Sequence, residues 1–232
     1  MALVTGATRG IGLATARALA GAGARVAMLA RSADTLAARA SEIGEAALAV
    51  PCDVTNAPAV ERALASARAT LGDPSILVNN AGIFEPRPIE GISPEDFTRT
   101  VHANLVAAFT LVHALLPAMR ARGAGHIVTI GSVADRTAFP GNGAYAASKY
   151  GLRALHEVMR AELRGSGVRT TLVSPGPTDT PIWDQVERGS DVQRSFPPRS
   201  AMMPAQAVAA AVLYALNQPP EVNIDELRLS RS

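Results

Sequence analysis

Lysine is nearly absent from this chain. Of its 22 basic residues, all are arginine except Lys149. Cysteine is equally scarce: Cys52 stands alone, so no internal disulfide can form, which fits a reducing compartment. Charge of one sign never accumulates. The formal net charge is +2 and no block of five or six like charges occurs, which argues against a nucleic-acid patch or a polybasic membrane arm. Long apolar runs are missing too. The nearest candidate, around 101–119, is broken by His102, Asn104, Thr110, His113 and Pro117, so no membrane span is expected. The first residues, MALVTGATRG, lack the basic-then-apolar layout of a secretory signal. The expectation is a soluble, cytoplasmic protein. The four histidines (102, 113, 126 and 156) have no metal-ligand spacing with Cys52 or with one another. No metal is expected, and Cys52 reads as a small buried residue. There is no G-x-S-x-G, and Ser132 has no histidine close by in sequence, which weakens a hydrolase reading.

What is present is regular. Hydrophobic residues make up 48% of 232 positions, enough for one domain with a sizeable core. Short β-branched runs at 2–5, 25–30, 46–50, 75–79, 126–130 and 168–174 alternate with helical patterns at about 10–22, 32–43, 57–71, 94–122, 144–165 and 204–217. A run at 222–230 supplies a possible seventh strand. Ser93, Pro94, Glu95 and Asp96 form a helix-start signal. Continuous apolar strands alternating with helices predict an α/β fold: one doubly wound domain over 1–232, with a parallel sheet of about seven strands covered on both faces. Ligands of such sheets bind at the carboxyl ends of the strands. The stretch 176–203 has little regular pattern and reads as a loop covering the substrate.

The first strand runs into TGATRGIG (5–12). Gly6, Gly10 and Gly12, with Thr8, Arg9 and Ile11 between them, occupy a strand-to-helix turn. Glycine there lets the backbone turn tightly and a pyrophosphate approach the helix N-terminus. The second strand ends at Ala30, followed by Arg31, with no acidic residue to receive a ribose 2′-hydroxyl. Arg31 and Arg9 could instead meet a 2′-phosphate, each charge-assisted bond contributing about 1.5–3 kcal/mol. This favours NADP(H) over NAD(H).

Residues 143–152 read GAYAASKYGL. Tyr145 and Lys149 are four apart and share a helix face, while small neighbours leave room for a ligand. A cation about 5 Å from a phenol, at an effective dielectric of 20, lowers its pKa by about two units, toward the range useful for acid–base work. A slim ammonium suits this place better than a guanidinium.

The spacing TG-x-x-x-G-x-G, NNAG at 79–82 and Tyr145-x-x-x-Lys149 together resemble the short-chain dehydrogenase/reductase family, in its compact branch, over about residues 2–182. The resemblance implies a catalytic set of Asn104, Ser132, Tyr145 and Lys149. Ser132 would orient the substrate oxygen, and Asn104 would hold a water linking the lysine to solvent. It implies cofactor contacts from Asp53 and Val54 at the adenine, from Asn79, Ala81 and Gly82 along the next strand end, and from Pro175, Gly176, Thr178 and Thr180 near the nicotinamide, with Tyr145 and Lys149 at the ribose. For Asp53 a turn-capping role competes. The substrate would be a small carbonyl or secondary alcohol, with 3-oxo and 3-hydroxy acid derivatives among the candidates. It would lie against an apolar wall drawn from Ile182, Trp183, Phe196, Met202, Met203 and Phe139. Arg188, Arg194 and Arg199 are either solvated surface arginines or contacts for an acidic substrate. Helices 94–122 and 144–165 imply a homo-oligomer. The ending EVNIDELRLSRS departs from the family's usual glycine-rich finish, which leaves a homodimer as open as a homotetramer. The competing reading is a non-catalytic NADP(H)-binding sensor or scaffold.

Overall fold

The computed structural model describes residues 1–186 and 196–232. Seven strands form one all-parallel sheet in the order β3-β2-β1-β4-β5-β6-β9: β1 (Ala2–Thr5), β2 (Val26–Ala30), β3 (Ala47–Pro51), β4 (Ile76–Asn79), β5 (Gly125–Ile130), β6 (Val168–Pro175) and β9 (Glu226–Leu229). Successive strands step outward from β1 to β3. The chain then returns to the other side of β1 and steps outward again from β4. That reversal between β1 and β4 is the switch point at which a crevice opens.

The two-residue period of the strands builds two cores. Leu3, Ala27, Leu29, Leu77 and Ile127 point to one face, and Ala2, Val4, Val26, Met28, Val78 and Val128 to the other. The first face is covered by α3 (Ala57–Leu71), α5 (Ala107–Arg122) and α6 (Gly143–Glu162), and the second by α1 (Gly10–Gly21), α2 (Ala33–Ile43) and α7 (Ala205–Leu216). Fully buried leucines such as Leu3, Leu77 and Leu111 each contribute roughly 1.5–3 kcal/mol.

The helix starting at Ser93 forms as its start signal predicts. Ser93 Oγ accepts from Asp96 N at 3.1 Å, and Pro94 opens α4 (Pro94–Val101). The expected single helix 94–122 is interrupted, however. A π-helical turn, His102–Val106, separates α4 from α5, a widening often found at functional sites. By length and composition, 94–122 meets the description of a membrane span, although polar residues interrupt it. In this fold it is a core element: Leu111, Val112, Leu115 and Met119 pack into the first hydrophobic core.

The stretch 176–203 is more ordered than expected where it is described. It contains β7 (Thr178–Asp179), paired in parallel with β8 (Met203–Pro204), and two 3₁₀ turns, Pro181–Gln185 and Arg199–Ala201. Arg199 pairs with Asp179, and with Asp184 at 3.0 Å, tying the two ends of the stretch together. Arg188 and Arg194 lie outside the described residues. The last strand is shorter than the run 222–230 that suggested it, but it is a true seventh strand beside β6.

Candidate active site

The glycine turn leaves β1 at Thr5. Gly6 (φ 65°) and Gly10 (φ 55°) take left-handed backbone conformations that side chains disfavour. Gly12 is constrained by space: a Cβ there would stand 2.3 Å from Gly6 O and 2.5 Å from Asn80 Nδ2. Asn80, which sequence reasoning passed over in favour of its neighbour, clamps the turn by donating to Thr5 O at 2.8 Å and Gly6 O at 3.4 Å. Thr5 Oγ1 accepts from the N–H groups of Asn80 and Ala81, both at 2.9 Å. The doubled asparagine of NNAG was the available signal. Asn79 instead donates to Ala108 O at 3.3 Å, and its Oδ1 is buried with no hydrogen-bond partner among the described residues. It lines a small cavity with Thr5, Val54 and Ala81.

These features fit a dinucleotide. The residue preceding α1, Arg9, makes no side-chain capping bond, which leaves the first N–H groups of the helix open to an anion. Thr8 and Ile11 are half-buried in this turn. A Cβ on Gly10 would meet Thr180 at 3.1 Å, so the segment after β6 leans on the glycine turn. Thr178 and Thr180 are buried there, and Thr178 Oγ1 donates to Gly176 O at 3.0 Å. Gly176, following Pro175 at the end of β6, is held by its N–H to Leu229 O at 2.8 Å. Arg9 and Arg31 are exposed, and neither makes an ion pair among the described residues. Asp53 closes a local turn: its Oδ1 accepts from Thr55 N at 3.0 Å and Thr55 Oγ1 at 2.7 Å. These bonds, chiefly the Thr55 hydroxyl, hold its carboxyl below the usual range.

The four residues of the expected catalytic set converge beside this cradle. Ser132 follows β5, and its Oγ accepts from Ala134 N at 3.1 Å, which fixes a 3₁₀ turn, Val133–Asp135. Tyr145 and Lys149 lie in the first two turns of α6. Lys149 is buried, donates to Ile130 O at 2.9 Å and stands 5.6 Å from the centre of the Tyr145 ring. Asn104, in the π-helical turn, is committed to protein partners. Its Nδ2 donates to Ile83 O and Ser148 Oγ, both at 3.0 Å, and its Oδ1 accepts from Ile83 N at 2.8 Å. Ser148 in turn donates to Tyr145 O at 2.7 Å. Asn104 thus staples the strand end at Gly82–Ile83 to the helix carrying Tyr145 and Lys149. Gly82 is close by necessity, since a Cβ there would stand 2.9 Å from Asn104 Oδ1.

The electrostatics differ from the sequence expectation. The lysine was expected to pull the phenol down. Instead burial pushes Tyr145 up to about 12, a rise that Asp135 adds to and the Ser132 hydroxyl opposes. Burial also brings Lys149 down to about 8, against the Asp135 charge, which raises it. At neutral pH the site therefore holds a protonated phenol beside an ammonium.

Aromatic residues are few, with one Trp, three Tyr and five Phe, yet four of the nine meet at this point. Phe84 packs edge-on against Tyr145 (4.8 Å between ring centres), Trp183 (5.2 Å) and Phe196 (5.7 Å), and Trp183 and Phe196 lie 5.1 Å apart. Trp183 is oriented by donating to Thr178 O at 2.9 Å. Phe84 had no sequence signal beyond its place after NNAG. Of the other expected wall residues, Met202 and Met203 are buried and Ile182 half-buried, whereas Phe139 is exposed outside this cluster. Among the described residues no cluster of potential metal ligands occurs, and Cys52 is buried and free.

The chain resembles known proteins in sequence and fold. The chain is 36% identical to a glycine betaine reductase of Emericella nidulans over 98% of its own length, though it spans only 18% of that longer protein. It is 35% identical to a D-threitol dehydrogenase of Mycolicibacterium smegmatis, covering 96% of this chain and 88% of that one. Among solved structures, an alcohol dehydrogenase from the archaeon Thermococcus sibiricus, complexed with 5-hydroxy-NADP, superposes with a TM-score of 0.87 at 31% identity, covering 98% and 94% of the two chains. The family model for short chain dehydrogenases matches residues 1–191. Sequence and fold agree, and the chain belongs to the short-chain dehydrogenase/reductase family of oxidoreductases.

Proposed function

We propose that the protein is an NADP(H)-dependent carbonyl reductase, working on ketones or aldehydes and, in reverse, on secondary alcohols. The observation that carries this reading is the convergence of Ser132, Tyr145 and Lys149 at the carboxyl end of β5, beside the glycine cradle at the β1–β4 switch point. A bound reduced nicotinamide supplies the hydride that goes to the carbonyl carbon. Tyr145 donates its phenolic proton to the carbonyl oxygen as the negative charge develops there. Ser132 holds that oxygen by a hydrogen bond. Lys149, anchored on Ile130 O, offers its remaining N–H donors to the ribose hydroxyls and keeps positive charge beside the phenol. With its pKa at about 12, Tyr145 is protonated at neutral pH and has a proton to give.

NADP(H) is preferred because β2 ends at Ala30 without a carboxylate while Arg9 and Arg31 stand exposed beside the cradle. Val54 lies on the adenine side, Asn79, Ala81 and Gly82 line the cofactor at the end of β4, and Pro175, Gly176, Thr178 and Thr180 lie on the nicotinamide side. The substrate is a small molecule whose apolar part rests on Phe84, Trp183 and Phe196. Exposed apolar residues on α4, α5 and α6, namely Phe97, Phe109, Tyr150 and Val158, favour a homo-oligomer built on these helices. Assembly of Ser132, Tyr145 and Lys149, braced by Asn104, favours an enzyme over a sensor or scaffold. Initial rates of NADPH oxidation over a panel of ketones, diketones, 3-oxo esters and aldehydes test the reading. Saturable turnover with NADPH, much weaker with NADH, is expected. Tight NADPH binding without turnover of any carbonyl would favour the sensor instead.

A further inference from the structure

Asp135 is a fully buried carboxylate that the proposed chemistry does not use. It ends the 3₁₀ turn begun by Ser132, whose carbonyl accepts from Asp135 N at 2.9 Å. Its carboxylate lies beneath Gly131, where a Cβ would stand 2.9 Å from Asp135 Oδ2. Gly131 joins Ile130, the anchor of Lys149, to Ser132. The carboxylate thus sits under the peptide that links two parts of the catalytic set. From β6 the Ser174 hydroxyl donates to Oδ2. Oδ1 is ion-paired with Arg136 Nε at 3.2 Å, although the two atoms lack hydrogen-bond geometry and neither has another hydrogen-bond partner among the described residues. Arg136 directs its Nη2 to Glu226 of β9 at 2.6 Å. One guanidinium is thus shared between two carboxylates, Asp135 and Glu226. On its other side α6 packs against the turn and brings Tyr145 and Lys149, whose proton affinities Asp135 raises. A buried acceptor left without a hydrogen bond is costly and calls for an explanation.

We propose that Asp135 is a positioning residue for proton transfer: its buried charge holds Lys149 as an ammonium beside Tyr145 and so extends the pH range over which the site can reduce a carbonyl. The inference rests on the reductase reading. The sign follows from Coulomb's law, because a negative charge favours both the neutral phenol over phenolate and the ammonium over the amine.

The test compares wild type with Asp135→Asn and Arg136→Gln by two readouts. The first is the pH dependence of kcat/KM for carbonyl reduction. The second needs no substrate. Because Lys149 is the sole lysine, protein labelled with ¹³C-lysine gives one side-chain resonance whose titration is followed by NMR. Asp135→Asn moves the alkaline limb and the lysine titration to lower pH by about one unit. Arg136→Gln, which removes the partial counter-charge, moves both to higher pH. Limbs and titrations that coincide with wild type, or that move in the opposite directions, overturn the proposal. Should Asp135→Asn fail to fold, Arg136→Gln decides alone: an upward shift supports the proposal, and no shift or a downward one overturns it. A wild type that reduces no carbonyl would sink the reductase reading, while the lysine titration would still decide whether Asp135 sets the protonation of the site.

Discussion

Lys149 donates to the carbonyl of Ile130 at 2.9 Å and holds its ammonium 5.6 Å from the ring centre of Tyr145. One side chain therefore joins the end of a central strand to Tyr145, the proposed proton donor. The need for a slender cation at this point explains why a chain that otherwise uses arginine has lysine here. A guanidinium is broader, planar and unable to lose its charge.

That relation predicts a pH profile. Burial lowers Lys149 to about 8, so the ammonium is present below that pH and lost above it. Carbonyl reduction should hold steady from pH 6 to 7.5 and fall above pH 8. In Lys149→Arg, kcat should drop by about 100-fold or more and the fall above pH 8 should vanish. A Lys149→Arg profile superimposed on wild type would rule out this role.

Cofactor preference depends on Arg31. Replacing it with Asp removes one partner of a 2′-phosphate and places a carboxylate where a ribose hydroxyl is read. The ratio of kcat/KM for NADPH to that for NADH should fall by about 100-fold, equivalent to about 2.7 kcal/mol. An unchanged ratio would leave Arg31 as an ordinary solvated residue.

Phe84 should set substrate choice. Phe84→Ala removes three edge-on ring contacts, each worth about 0.5–1.5 kcal/mol. KM for aryl or branched ketones should rise about tenfold while small aliphatic carbonyls change little. Equal losses for both classes would mean that Phe84 supports Tyr145 and does not touch substrate.

These predictions draw on different depths of the sequence. The strand–helix alternation and the glycine turn are local patterns, and each produced the element expected of it. Tyr145 and Lys149 were legible because four residues is one helical step. What was not legible depends on chain segments far apart. Phe84 meets Trp183 and Phe196 across about a hundred residues. Asp135 acquires meaning only when β6 and β9 close over it. The direction of the Tyr145 shift was missed for the same reason: the charge four residues away is visible in sequence, whereas the burial that outweighs it is not. Asn104 sits in a π-helical turn that apolar periodicity cannot distinguish from an ordinary helix.

Stability should carry its own pH signature. His126 is buried between strands with Nε2 2.8 Å from Thr171 Oγ1, and burial lowers it to about 3. The unfolded chain takes up this proton near pH 6.5 while the folded protein does not. Stability is thus fully present above pH 6.5 and declines as the pH falls toward 3. The loss from this group is about 2 kcal/mol at pH 5. Urea denaturation at pH 7 and pH 5 should show that difference, and His126→Gln should reduce it. Identical pH dependence in the variant would assign the loss elsewhere.

The central claim is that Tyr145 supplies the proton for carbonyl reduction. Its most direct test is single-turnover NADPH oxidation, with a ketone that the wild type reduces, in Tyr145→Phe. The substitution removes one oxygen and keeps the ring against Phe84. The account predicts NADPH binding within about threefold of wild type and a hydride-transfer rate at least about 1,000-fold lower, equivalent to about 4 kcal/mol. Hydride transfer at the wild-type rate in Tyr145→Phe would contradict it.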